Sequence, residues 1–277
     1  MSDPELQPLS HQIDPDSLAA LPRTSGVYIF KGEGTLPIYI GKSVDIRSRV
    51  LAHLRAEDEA EMIAQSRRVD FIETAGEIGA LLLEAGLIKQ QSPLFNIRLR
   101  RLRNLCSIRL ADRNGGVTPE VVSGKDVTVG QSEDLYGLFN SVHAAQSKLR
   151  ELADVNRLCL GLLGLEKIGK RGCFGLQVKT CLGACVGAED RQAHDHRLFT
   201  ALVDLKVHAW PYPGAVDLVE QSGDWIQRHR IQDWRYMGTW CSKADALTAH
   251  EQHSFDLDTY KILVKPIMMG TARVELV

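Results

Sequence analysis

Apolar and polar positions alternate with a period of two in two early stretches of the chain. Gly26-Val27-Tyr28-Ile29-Phe30 and Pro37-Ile38-Tyr39-Ile40-Gly41 are rich in β-branched and aromatic residues and predict two strands. The glycines of Lys31-Gly32-Glu33-Gly34-Thr35-Leu36 predict a hairpin loop between them. Tyr28 and Phe30 then point to one face and Val27 and Ile29 to the other, while Tyr39 opposes Ile38 and Ile40. A turn about Glu33-Gly34 sets Tyr28 directly across from Tyr39. The period next lengthens to that of a helix, capped by Ser43 and running to about Arg55, with Ile46, Val50 and Leu54 as its stripe. Arg68 to Thr74 predicts a third strand. A helix from about Glu77 to Gln90 ends at Ser92-Pro93, burying Ile78, Leu81, Leu82, Ala85 and Ile88 with Glu84 at the edge of the stripe.

Beyond this the pattern is more mixed. A strand is predicted around Ser107–Leu110, a helix from about Val142 to Leu152 and a strand over Tyr260–Ile267. The expected class is α+β: a small mixed-sheet domain, a Cys-rich metal-binding segment and a small C-terminal α+β domain. The expected divisions are a loosely held arm (1–20), a first domain (21–103), a connecting segment (104–155), the Cys-rich segment (156–190) and a C-terminal domain (191–277). All four tryptophans, Trp210, Trp225, Trp234 and Trp240, lie in the last part, where they are expected to fill a small core, with partner docking the alternative.

Composition narrows the class. With 277 residues, 44% hydrophobic and 25% charged, the chain is too apolar and too little charged to be disordered throughout. No stretch approaches the roughly 20 apolar residues of a membrane span. Met1-Ser2-Asp3-Pro4-Glu5 lacks the basic start and apolar run of a secretory signal, so a cytoplasmic location is expected. The net charge of −2 conceals local asymmetry. Arg98, Arg100, Arg101 and Arg103 form a basic run, and Glu57, Asp58, Glu59 and Glu61 an acidic one.

Of six cysteines, Cys106 and Cys241 stand alone, while Cys159, Cys173, Cys181 and Cys185 fall together, separated by thirteen, seven and three residues. In a cytosolic chain such a group points to a metal centre rather than disulfides. Only Cys181 and Cys185 approach the paired spacing of a zinc site, and irregular spacing also suits an iron–sulfur cluster.

Around the two tyrosines the sequence places groups suited to phosphodiester hydrolysis. Gly41-Lys42 brings a flexible backbone and a cation to the end of the second strand, and Arg49 and His53, four apart, share a helix face. Glu84 is a candidate ligand for a hard cation that keeps most of its waters and lowers the pKa of one. A tyrosine is a poor base at its ordinary pKa, and an adjacent lysine is expected to depress it. Arg49 offers a fork for phosphate oxygens.

Gly26-Val27-Tyr28 and Tyr39-Ile40-Gly41, followed in order by Lys42, Arg49, Glu84 and Asn96, resemble the GIY-YIG endonuclease family over roughly residues 21–100. The resemblance implies catalytic roles for Tyr28, Tyr39, Lys42, Arg49, His53 and Asn96, the last supporting the site, and binding of Mg²⁺ or Mn²⁺ at Glu84. His53 departs from the tyrosine usual in UvrC-type members. Arg171-Gly172-Cys173-Phe174 through Cys181-Leu182-Gly183-Ala184-Cys185-Val186-Gly187 extends the resemblance to UvrC-like excision-repair proteins and implies a metal centre at the four cysteines, a [4Fe–4S] cluster first and Zn²⁺ second. A full UvrC continues into a second nuclease domain and helix-hairpin-helix motifs, for which this chain has no room, so a short UvrC homologue is expected.

Such a protein is expected to make one incision on the 3′ side of a lesion in damaged double-stranded DNA, loaded by a UvrB-type helicase, with Arg98, Arg100, Arg101 and Arg103 contacting the DNA backbone. Three alternatives stand beside this: a structure- or sequence-specific nuclease, a non-catalytic DNA- or partner-binding module, and a redox sensor at the cysteines.

Overall fold

The structure is a computed structural model, described here for residues 10–34, 36–96, 105–113, 115–123, 134–244, 246–249 and 255–277. The basic run at Arg98, Arg100, Arg101 and Arg103 lies outside the described residues. The chain forms two compact units, one of residues 1–101 with 212–277 and one of residues 102–211. Among the described residues no helix is long and apolar enough to cross a membrane.

The first unit opens with a short helix α1 (Pro15–Ala19) and the strands β1 (Gly26–Lys31) and β2 (Pro37–Ser43). Helices α2 (Ile46–His53) and α3 (Ala60–Gln65) lead to β3 (Arg68–Glu73), and α4 (Glu77–Gln91) follows. The sheet order is β2-β1-β3, antiparallel in both pairings. The α+β class holds, but the sheet is not mixed: β2 and β3 run the same way with β1 between them, so no parallel pair forms. The expected arm is not loose beyond residue 12. Ile13 is buried in the core, and the Asp14 N–H donates to the Arg67 carbonyl at 2.7 Å.

One face of the sheet carries Tyr28 and Phe30 against Ile46, Val50 and Ile63; the other carries Val27, Ile29 and Ile40 against Ile88 of α4. The hairpin register differs from the expected one. Tyr28 stands opposite Gly41 and Phe30 opposite Tyr39, with an irregularity beside Lys31, which pairs with Pro37. The extra residue is Ile38, and this bulge turns it onto the Tyr28 face, away from the Ile40 face predicted for it. In α4, Gly79 and Ala80 are buried and Ile78 and Leu81 only half-buried, so the inward stripe is rotated from the predicted one.

The same unit contains β7 (Val216–Ser222), β8 (Trp225–Gln232), β9 (Arg235–Cys241), β10 (Ala246–Ala249), α8 (Leu257–Met268) and β11 (Arg273–Leu276), numbered after the elements of the second unit given below. These strands form one antiparallel sheet in the order β10-β9-β8-β7-β11. The predicted strand over Tyr260–Ile267 is helical. Leu257, Tyr260, Leu263 and Ile267 recur at helical spacing on the buried side, and the Asp256 carboxylate accepts the Thr259 N–H as an N-cap. The β-branched content of the run had suggested a strand, and burial of one helical face overrides it. Trp234 is fully buried, edge-on to Tyr260 with ring centroids 5.1 Å apart, and no tryptophan is fully exposed. Packing is thus their main observed role.

The second unit has a three-stranded antiparallel sheet of β4 (Cys106–Arg113), β5 (Gly116–Ser123) and β6 (Leu135–Phe139) in the order β5-β4-β6. Helices α5 (Val142–Asn156), α6 (Phe174–Gln177) and α7 (Arg191–Leu202) complete it. Residues 191–202, expected in the C-terminal domain, belong here because Leu198 and Leu202 share a core with Leu149 and Ala153 of α5. Asp195 accepts the Val117 N–H at 2.8 Å, and Arg191 donates to the Val117 carbonyl, tying α7 to β5.

Candidate active site and four-cysteine centre

The tyrosine of the first motif lies over the glycine of the second. A Cβ on Gly41 would come within 2.3 Å of the Tyr28 hydroxyl oxygen, so only a bare backbone admits the ring there. Gly26 is constrained in the same way: a Cβ would come within 2.2 Å of the Ile72 carbonyl oxygen on β3. Although Tyr39 is diagonal to Tyr28 and not opposite it, their ring centroids are 6.2 Å apart and the rings are tilted by 36°. The expected convergence on one patch therefore holds in a different register.

Helix α2 adds the remaining groups. Its N-cap is Asp45, which accepts the Ser48 N–H at 2.8 Å, and one turn apart it carries Arg49 and His53. The Arg49 guanidinium lies near enough to the Tyr28 hydroxyl to oppose the effect of burial on it. The His53 ring is buried, with Nε2 2.6 Å from the Tyr28 hydroxyl oxygen and Nδ1 against the Glu59 carboxylate. An ionised carboxylate only accepts, so Nδ1 carries the proton and Nε2 accepts from Tyr28. Glu59 was read from the sequence only as part of a surface acidic run. Its position six residues after His53 carried no periodic signal, because a short 3-10 turn, Glu57–Glu59, brings it back to the ring.

Burial sets the protonation states. It raises both tyrosines above the ordinary phenol value, reinforced for Tyr28 by Tyr39 and for Tyr39 by Glu84, against the pull of Arg49. Both therefore lie above the ordinary value and not, as expected, below it, and the Lys42 ammonium is 2.5 Å from Glu77 in the first turn of α4. Burial also holds His53 below its ordinary value against the opposing effect of Glu59, leaving the ring neutral near pH 7.

Glu84 reaches the site from α4. Its Oε1 accepts the Lys42 backbone N–H at 3.1 Å, and burial raises its pKa against that bond and the Lys42 charge. Its second oxygen has no protein donor among the described residues. A half-buried carboxylate oxygen without a donor is a suitable ligand for a hard cation. Asn96 faces elsewhere: its Oδ1 accepts the Ile40 N–H at 2.9 Å and its Nδ2 donates to the Ile40 carbonyl at 2.8 Å. It brackets the peptide between Tyr39 and Gly41, so its geometry is that of a support for β2.

In the second unit the sulfurs of Cys159, Cys173, Cys181 and Cys185 all lie within 4.8 Å of one another. Three of the four are buried, and burial pushes the Cys159 thiol up to about 11 and that of Cys173 higher still. Thiolates in such surroundings call for a cation. The Leu176 N–H donates to the Cys173 sulfur and the Gly183 N–H to the Cys181 sulfur, each at 3.3 Å. His194 of α7 accepts the Cys159 N–H at 3.1 Å, anchoring the first cysteine.

Residues 24–97 match the family model of the UvrC-like GIY-YIG domain. The first unit thus carries the nuclease domain of a GIY-YIG endonuclease. Residues 105–204 match the middle domain of the UvrC/Cho excinucleases, and residues 207–277 the C-terminal domain of excinuclease Cho. Excinuclease Cho of Shigella flexneri is 50% identical over 253 residues, covering 90% of this chain and 84% of that protein, and excinuclease Cho of Escherichia coli (strain K12) is matched to the same extent. The UvrABC system protein C of Methanosarcina acetivorans is 30% identical over 194 residues, covering 68% of this chain and 36% of that protein. Among solved structures, the magnesium-bound GIY-YIG N-terminal endonuclease domain of UvrC from Thermotoga maritima is 33% identical and covers 30% of this chain and 93% of that one, with a TM-score of 0.28. The chain belongs to the excinuclease Cho family and is an endonuclease of nucleotide excision repair.

Replacing Gly41 with Ala is expected to displace the Tyr28 ring. The stability cost from overpacking should be about 1–3 kcal/mol, while cutting should fall on the order of 100-fold because the hydroxyl moves. Denaturant unfolding and nicking rates, measured on the same preparation, check the two effects separately.

Proposed function

We propose that the chain nicks one DNA strand on the 3′ side of a lesion, after delivery by a UvrB-type helicase, through the site around Tyr28. The observation that carries the reading is the hydrogen-bonded series Tyr28–His53–Glu59 beside a carboxylate with an open oxygen. Membership of the excinuclease Cho family supports the lesion as the target; the helicase partner and a cytoplasmic location are part of the same proposal.

Glu84 would hold Mg²⁺ or Mn²⁺, which when bound supplies an acidified water and neutralises phosphate charge. The remaining groups are the protein's own. The Tyr28 oxygen takes a proton from the attacking water as its own proton passes to Nε2 of His53, and Glu59 steadies the imidazolium that forms. The bond from phosphorus to the departing sugar oxygen breaks, and that oxygen takes a proton from solvent. A neutral phenol thus works as a relay without being deprotonated beforehand. Arg49 binds a non-bridging phosphate oxygen, and Tyr39 orients the Tyr28 hydroxyl. Lys42 fixes Glu84 through its backbone N–H, and Asn96 holds β2. The Arg98–Arg103 run supplies sequence-independent contacts to the DNA backbone.

Two groups suit the four cysteines. A single tetrahedral Zn²⁺, with Zn–S distances of about 2.3 Å, fits sulfurs gathered as closely as these. A [4Fe–4S] cluster, favoured by the resemblance to UvrC-like proteins, fits with the sulfurs farther apart, since its own iron and sulfide atoms lie between them. Either group would serve architecture or DNA engagement rather than hydrolysis.

On an end-labelled duplex with one bulky lesion, a single 3′ nick is expected that requires both Mg²⁺ and the helicase and is lost in Glu84→Gln. Cutting of undamaged DNA without the helicase would remove the repair-specific part of the reading. The relay predicts a pH profile. His53 accepts a proton only when neutral, so activity should fall as pH drops through its depressed pKa, below 6.5. His53→Gln should slow nicking by about 10²–10⁴-fold, and His53→Tyr should remove the acid limb because a phenol does not titrate there. For the cysteine centre, visible charge-transfer absorption with iron and sulfide in freshly purified protein identifies the cluster. Colourless protein with one zinc per chain identifies the ion, and in both cases Cys173→Ser should lower metal content.

A further inference from the structure

Helix α4, which carries Glu84, has no N-terminal cap of its own. Its N-cap position is Gly76, without a side chain to accept the first N–H groups. The acceptor comes from the C-terminal sheet. Glu220 of β7 takes the Ile78 N–H on Oε1 at 2.8 Å and the Gly79 N–H on Oε2 at 2.7 Å. Gln227 of β8 accepts the Ala75 N–H at 2.8 Å just before the helix. Buried His229 of β8 holds Glu220 Oε2 through Nε2 at 3.1 Å. At the other end of α4, Lys89 is 2.5 Å from Asp256 and 2.9 Å from Asp258, which flank the start of α8.

The glycines of α4 fit this clamp. A Cβ at Gly76 would come within 2.2 Å of Glu220 Oε1, and one at Gly79 within 2.9 Å of the His229 ring. Glycine in a first helical turn lowers helix propensity, so its presence at position 79 has a packing reason here. Burial alone would raise the Glu220 pKa, but His229 and the two N–H groups outweigh it and keep the carboxylate ionised, the charge a helix N-terminus favours.

On its opposite side α4 packs Ile88 against Val27, Ile29 and Ile40 of the catalytic sheet, and Lys42 adds polar contacts, by the backbone N–H to Glu84 and the ammonium to Glu77. The placement of the helix along its own axis is thus shared between the catalytic sheet and the C-terminal sheet. We propose that Glu220 is a positioning residue for the metal-holding carboxylate of Glu84: by gripping the first turn of α4 from the C-terminal sheet, it sets the depth at which Glu84 enters the active site. This rests on the reading that Glu84 holds the divalent cation. The C-terminal domain is then part of the active-site scaffold.

The test uses full-length protein with its cysteine centre intact and Mn²⁺ as the probe, with free ion followed by electron paramagnetic resonance. Wild type, Glu220→Ala, Glu220→Gln and Glu84→Gln are compared, with circular dichroism reporting the fold. Glu84→Gln should abolish the site. Glu220→Ala should raise the Mn²⁺ Kd on the order of tenfold, as outer contacts of metal ligands do, with DNA affinity in chelator unchanged. Glu220→Gln, which keeps one accepting oxygen, should fall between and is the deciding variant if the alanine protein does not fold. In the nicking assay the half-activating Mg²⁺ concentration should rise in parallel, with the rate recovering at saturating metal. A Mn²⁺ Kd within about twofold of wild type in the folded Glu220 variants, with binding still lost in Glu84→Gln, overturns the proposal. Binding retained by Glu84→Gln overturns the metal reading itself, and the proposal with it.

Discussion

The active site depends on one close approach: the Tyr28 ring lying on the bare backbone of Gly41. Because that position has no side chain, the ring can fold across the adjoining strand and carry its hydroxyl to Arg49 and His53 on α2 and to Tyr39 on β2. The approach requires β1 and β2 to pair with Tyr28 opposite Gly41, a register to which the bulge at Ile38 contributes one residue. Asn96 bonds both polar groups of the Ile40 residue and keeps β2 straight at the point of contact. Two glycines and an asparagine thus do with backbone geometry what the tyrosines require before any chemistry can begin.

Burial then decides which chemistry is available. Phenols removed from water hold their protons more tightly, and the Arg49 charge beside them lowers their pKa by less than burial raises it. What the pocket offers in place of a phenolate is an acceptor. His53, neutral because it is buried, faces Tyr28 with its unprotonated nitrogen because Glu59 holds the other. A histidine at this position is therefore well matched to its surroundings: the same desolvation that weakens tyrosine as a base keeps the imidazole free to accept.

The Glu84 side of the site is organised on a different principle. Glu84 is carried on a helix whose N-cap has no side chain to accept and whose first turn contains Gly79, features that weaken a helix in isolation. The C-terminal sheet supplies the missing acceptor through Glu220 and secures the far end through Asp256 and Asp258. The four-cysteine centre of the other unit is likewise built from distant pieces, with α7 contributing His194 against the first cysteine.

Local pattern was enough to define much of this protein. Alternation along Gly26–Phe30 and Pro37–Gly41, the stripe of α2 and the apolar helix from Glu77 are local features, and their strand and helix propensities agree with their tertiary setting. The two tripeptides with Lys42, Arg49 and Glu84 identified the nuclease class, and the clustering of four cysteines pointed to a group that could hold a metal, because both rest on residue type and order. The register of the tyrosines, the partner of Lys42, the return of Glu59 to His53 and the helical state of Tyr260–Ile267 were not legible. Each depends on what lies opposite: a one-residue bulge, a competing carboxylate, a short turn, a sheet that buries one helical face. The grip of Glu220 on α4 spans 141 residues of chain, a separation at which no periodicity persists, and only the packed structure brings the two together.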